Sequence, residues 1–323
     1  MPRWPDNLID SVFYLFPNRE DAEKGSNLGA CGFLVSIPWD HPRASESSRH
    51  VYAVGNYHAA VRGGDSVIRL NNKEGRSGLI ETEPHEWFWR VGADVAVYRI
   101  DGSVHFTDQT ILQYAHVDFG EVNCTGKVLR EYQLGPGDDV VSVGRFVDIH
   151  GGQQNTPLIR SGIIASKGLV SVRTGSELPW GEEECWIVEM RSRTGFSGSP
   201  VYAYIPPWQP DFIEAPKREY GNFFYGPWLL GIHSSQIPGG HNERSAGSGM
   251  AAIVPCSALE ELLMRDDKVR QERAAYEDRF VDAPTAMAES SVLPTTDDNP
   301  QHREDFNRLL DAAAAKKGQG SET

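Results

Sequence analysis

Three short segments carry the residue types of nucleophilic catalysis. In "TGFSGSPVY", Thr194 to Tyr202, Ser197 lies between glycines and ahead of an alternating apolar run. A serine hydroxyl is a weak nucleophile until a base takes its proton, and the oxyanion that follows its attack needs N–H donors. A turn rich in glycine can present such donors, here the N–H groups of Gly195 and Ser197. Gly-x-Ser-Gly also occurs in ordinary turns, so the segment decides nothing without a base and a carboxylate.

The best base is His58 in "VYAVGNYHAAV", where a strand-like run ends in small residues that let the chain turn. The best carboxylate is Asp94 in "GADVAVYRI". A charge at the start of an apolar strand is unfavourable unless paired, for instance with an imidazole N–H. Taken singly, each reads more readily as an ordinary strand-end or core residue. Taken together, the chain order His58, Asp94, Ser197 is the one used by chymotrypsin-type enzymes and not by subtilisins or α/β-hydrolases.

The elements that must position these residues read as strands. Before residue 255 the chain is a series of short β-branched and aromatic runs, such as "GFLVSI", "DVVSVGRFV", "LIRSGIIAS", "CWIVEM", "PVYAYI" and "WLLGIHSS", separated by Gly, Pro, Asn and Asp. That spacing predicts an all-β barrel or sandwich. After "IVPC", the pair Ser257 and Glu260 reads as a capping box, and Leu259, Leu262 and Leu263 repeat at helical spacing, which predicts a closing helix.

At this point the chain resembles the trypsin-like serine peptidases, nearest to their Deg/HtrA-type and glutamyl endopeptidase branches. "GFLVSI", "YAVGNYHAAV" and "ADVAVYRI" match first-barrel elements, and "VVSVGRF", "IRSGIIAS", "GFSGSPVY", "LLGIHSS" and "GMAAIVPCSALEELL" match second-barrel elements and the closing helix. The resemblance implies an all-β fold of two packed six-stranded barrels with a C-terminal helix. It implies a peptidase domain over residues 1–280; beyond it, the Ala, Pro, Ser, Thr and Asp of 281–323 read as a polar, flexible tail, with Phe306, Leu309 and Leu310 in one candidate amphipathic helix. It further implies a serine endopeptidase with His58 as base and acid, Asp94 as its orienting carboxylate, Ser197 as nucleophile and no metal or cofactor.

Departures from the family matter as much. Phe196 stands where digestive members carry an Asp and bacterial branches an Asn, which leaves the resting oxyanion loop open to question. His233 falls where glutamyl endopeptidases carry a histidine that meets an acidic side chain on the residue N-terminal to the scissile bond (P1), and Arg191 and Arg193 are candidates for added positive charge there. The insertion at 205–228 and the tail are candidate docking segments for a regulatory protein partner. Two readings stay open beside the constitutive enzyme: an effector peptidase switched on by a partner, and a catalytically silent binding module on the same fold.

Bulk properties bound these readings. The 323 residues are 39% hydrophobic, enough for a large core, and 31 basic against 45 acidic residues give a net charge of −14. Such a charge disfavours nucleic acid and anionic lipid as partners, so the expected ligand is a protein or peptide substrate. The N-terminal stretch "MPRWPDNLIDSVFYLF" has neither signal-peptide nor membrane-spanning character, and the expected location is the cytoplasm. Four well-separated cysteines show no Cys-x-x-Cys pair and read as reduced core thiols.

Overall fold

The computed structural model describes residues 4–27, 29–42, 44, 48–71, 77–100, 115–145, 152, 154–173, 178–190, 195–205, 225–237 and 248–282. All of its strands belong to one compact unit that ends at Tyr276. The fold is mostly β, with short helices α1 (Asp6–Asp10), α2 (Arg19–Lys24), α3 (Phe119–Val122) and α4 (Gly126–Glu131), and the longer α5 (Cys256–Arg265) and α6 (Asp267–Asp282) at its end.

The first sheet contains β1 (Val12–Phe16), β2 (Ala30–Pro38), β3 (Arg49–Gly55), β4 (Val67–Asn71), β5 (Ser77–Ile80), β6 (Phe88–Trp89), β7 (Ala96–Arg99) and β8 (Val117–Asp118). Its order is β5-β4-β1-β2-β3-β7-β6, with β8 laid parallel on β2. Strand periodicity sorts its side chains between two cores. Val12, Tyr14 and Phe16 of β1 enter a large cluster that also holds Val141, Val143 and Ile232 of the second half, whereas Phe13 and Leu15 enter a smaller cluster of first-sheet residues. Both faces are therefore buried, which is why "VFYLF" is a continuous apolar run and not an alternating one.

The second sheet contains β9 (Asp139–Gly144), β10 (Leu158–Ile164), β11 (Val170–Val172), β12 (Glu183–Glu189), β13 (Pro200–Ile205), β14 (Tyr225–Gln236) and β15 (Met250–Pro255). The path β10-β9-β13-β14-β15-β12 returns on itself where Ile163 and Ile164 pair with Glu189 and Val188, closing a six-stranded barrel with β11 added outside. Closure leaves none of those six strands with a bare edge.

Two expectations need adjusting. The first sheet has eight strands, not six, and the pairings among the described residues do not join its ends into a barrel. Its extra members β6 and β8 are two residues long, too short to leave a periodic signal. The closing helix α5 buries Leu259, Leu262 and Leu263 as its spacing requires, but it starts at Cys256 with Pro255 as N-cap and no side-chain capping bond. Ser257 thus lies inside the first turn, and the capping box is not formed. All four cysteines are buried and free.

Candidate active site

His58 begins a single π-helical turn, His58–Gly63, directly after β3. Ala59 and Ala60 are small enough to bury where the chain reverses. The turn is moored to Asp94 from three sides. The His58 backbone N–H donates to Asp94 Oδ1 at 2.9 Å, His58 Nδ1 lies 2.6 Å from Oδ2, and the buried Asn56 donates its Nδ2 to the Asp94 carbonyl at 2.7 Å. One carboxylate thereby holds both the backbone and the ring of the histidine.

Asp94 itself is fully buried, so each carboxylate oxygen needs donors in place of water. The Ser234 hydroxyl supplies one to Oδ2 at 2.7 Å. The Asp94 backbone N–H donates to Oε1 of Glu183, at the start of β12, at 2.5 Å. An imidazole that gives its Nδ1–H to Asp94 presents Nε2 as an acceptor. That nitrogen lies 3.1 Å from Ser197 Oγ, which also has the Ser234 carbonyl within reach at 3.2 Å.

Ser197 sits on a loop tied down on both sides. Cys31 N–H donates to the Ser197 carbonyl at 2.8 Å, Gly198 N–H to the His233 carbonyl at 2.9 Å and Ser199 N–H to the Phe196 carbonyl at 3.0 Å, while the Cys31 thiol reaches the Gly195 carbonyl at 3.3 Å. Gly195 and Gly198 have φ of +94° and +83°, and a Cβ on Gly198 would lie 1.9 Å from the Cys31 carbonyl oxygen. Only glycine fits both the angle and the gap. Phe196 is fully buried, with the Arg160 guanidinium 4.5 Å above its ring. Its side chain is thus part of the packing beneath the loop. The N–H groups of Gly195 and Ser197 have no acceptor among the described residues.

His233 is buried on β14, its N–H bonded to the Ser199 carbonyl at 2.9 Å and its ring 6.0 Å from that of Phe196. Burial pushes its imidazole down to about 4, and the nearby His58 and Arg160 act in the same direction. Arg191 and Arg193 lie outside the described residues, as do 206–224 of the insertion and the tail from 283 onward.

The sequence matches no family model and no curated protein. Among solved structures, the chain is similar to the Rv3671c protease in an inactive form, at 12% identity over 80% of this chain and 89% of that one, with a TM-score of 0.43. It is similar also to a serine-to-alanine mutant of Rv3671c from M. tuberculosis H37Rv in an inactive form, at 12% identity over 80% and 87%, with a TM-score of 0.42.

Three site residues escaped the sequence reading. Ser234 follows His233 in "GIHSS", and the pairing of β14 with β15 slips just there, a bulge of the kind that re-aims side chains. Arg160 is the charged residue of "LIRSG", a stretch with no motif around it. Glu183 is the middle residue of "EEE", but strand alternation puts it on the inward side with the buried Cys185 while Glu184 faces out. That alternation was the available signal. Among the described residues no cluster of His, Cys, Asp and Glu has the form of a metal site, and no helix is long and apolar enough to cross a membrane.

The geometry defines the proton chemistry on offer. Ser197 Oγ can pass its proton along 3.1 Å to His58 Nε2, and the imidazolium so formed is held against the Asp94 carboxylate.

Proposed function

We propose that the protein is a serine endopeptidase of the trypsin-like type, forming an acyl-enzyme on Ser197. The observation that carries this reading is the line from Ser197 Oγ through His58 to Asp94, at 3.1 and 2.6 Å, drawn from two different sheets and set beside two N–H groups. Ser197 Oγ attacks the scissile carbonyl carbon while its proton moves to His58 Nε2. The carbonyl oxygen becomes an oxyanion held by the N–H groups of Gly195 and Ser197. Collapse breaks the C–N bond, and Nε2 returns the proton to the leaving amine. Water then repeats the sequence on the ester, its proton passing through Nε2 to Oγ.

The substrate is a polypeptide, and its P1 residue is Glu or Gln. His233, neutral near pH 7 with its pKa at about 4, offers a donor rather than a charge, and the Arg160 cation adds a bias against Lys and Arg. The kinship nearest this reading is with glutamyl endopeptidases and Deg-type peptidases.

A fluorophosphonate probe tests the reading on the full chain. The expected result is stoichiometric labelling that Ser197→Ala abolishes, together with cleavage of a peptide library after Glu or Gln. A folded wild type that is neither labelled nor proteolytic overturns it and leaves the binding module; labelling only when a partner protein is added identifies a switched peptidase. A basic P1 preference refutes the pocket without touching the nucleophile.

A further inference from the structure

The carboxyl group of Glu183 has no part in the mechanism just given, yet it is a buried acid in direct contact with the backbone of Asp94. It is 3% exposed and belongs to the second sheet, while its partner, the Asp94 N–H at 2.5 Å, precedes β7 of the first. Its other oxygen, Oε2, is buried with no hydrogen-bond partner among the described residues. A carboxyl kept in this position satisfies one of its two oxygens with a single backbone N–H and leaves the other desolvated. Core packing alone offers no reason for that cost, since an apolar residue would fill the space with no orphaned oxygen.

We propose that Glu183 is a positioning residue for the His58–Asp94 pair, clasping the Asp94 backbone across the two sheets and placing a second buried carboxyl behind the aspartate that holds the imidazole. The clasp fixes where Asp94 stands relative to β12 and therefore relative to the barrel that carries Ser197. The carboxyl also makes the charge of His58 and that of Glu183 depend on each other. The ionisable groups facing Glu183 are Asp94 and His58 from the first sheet's side and Cys185 on its own strand. His58 in turn faces Asp65 after its own turn and His233 on β14. Burial, reinforced by the Asp94 charge, pushes Glu183 up to about 7, against the opposing pull of the Asp94 N–H and His58. Its ionisation thus falls in the range where an imidazole titrates, and an ionised Glu183 favours the imidazolium form of His58.

This inference rests on His58 serving as the base, and its test does not require turnover. The full chain carrying Ser197→Ala is titrated by NMR through the His58 imidazole resonances, with Glu183 intact and as Glu183→Gln. Gln keeps the shape and can still accept the Asp94 N–H, but it removes the charge. The expected result is a His58 midpoint lowered by roughly one pH unit in Glu183→Gln, and restored in Glu183→Asp; an unmoved midpoint overturns the proposal. Should Glu183→Gln not fold, the wild-type residue is read directly with 13C-labelled glutamate in an Asp65→Asn, Ser197→Ala background. A His58 inflection coinciding with the Glu183 carboxyl titration supports the coupling, and its absence refutes it. Failure of the peptidase reading would appear separately, as absent labelling and hydrolysis in the protein with Ser197 and Glu183 both present.

Discussion

Ser234 donates its hydroxyl to Asp94 Oδ2 at 2.7 Å, the same oxygen that His58 Nδ1 approaches at 2.6 Å. Its own carbonyl lies 3.2 Å from Ser197 Oγ, so one residue of β14 touches both ends of the array. A hydrogen bond to a buried charge is worth about 1.5–3 kcal/mol. Ser234→Ala should therefore lower kcat/KM by about ten- to a hundred-fold with the fold retained. Steady-state hydrolysis of a fluorogenic peptide measures this, and wild-type kinetics would deny the hydroxyl any orienting part.

Asp94→Asn tests the carboxylate itself. An amide at this position can offer an N–H to Nδ1 and so favours the tautomer with its proton on Nε2, which then cannot accept from Ser197. The expected loss in kcat is on the order of ten-thousand-fold, with a circular dichroism spectrum like that of the wild type. A loss below ten-fold would mean that His58 is oriented by other contacts.

Gly198→Ala should uncouple the loop from its anchor. The added Cβ meets the Cys31 carbonyl oxygen at 1.9 Å with φ held at +83°, and backbone cannot move aside as a side-chain tip can. The strained angle alone costs on the order of 1–2 kcal/mol. Both a Tm lower by several degrees and a large loss of fluorophosphonate labelling are expected; a variant that labels at the wild-type rate would show that the loop has another way to seat.

His233 gives a stability signature in pH. Its folded value, pushed down to about 4 by burial, lies below the ordinary 6.5, so between these limits the unfolded chain binds the extra proton. Stability from this group is present above 6.5 and is lost as pH falls toward 4. Glu183 slopes the other way: its folded value of about 7 exceeds the ordinary 4.5, so the folded state holds a proton that the unfolded chain has lost, and stability falls as pH rises through that interval. The Glu183 contribution is common to wild type and His233→Gln and cancels in their difference. The Tm of the wild type relative to His233→Gln should thus rise by several degrees from pH 4.5 to 7. A difference that stays flat would show that His233 is not neutral in the folded state.

What the sequence determined by itself was local. Alternation and turn residues marked nine of the strands, the leucine spacing marked α5, and residue type, chain order and flanking glycines singled out His58, Asp94 and Ser197. Each of these signals is written within a window of some ten residues, where side-chain period and backbone propensity act directly. Tertiary structure decided the rest. Sheet closure depends on which strand edges meet, and β10 meets β12 through a pairing that neither run announces. Glu183 reaches Asp94 across 89 positions and Ser234 reaches it across 140. Such contacts arise because burial strips water from Asp94 and the fold must bring other donors and acceptors to it, and which residues arrive depends on the packing of two sheets, a property no single stretch of chain contains.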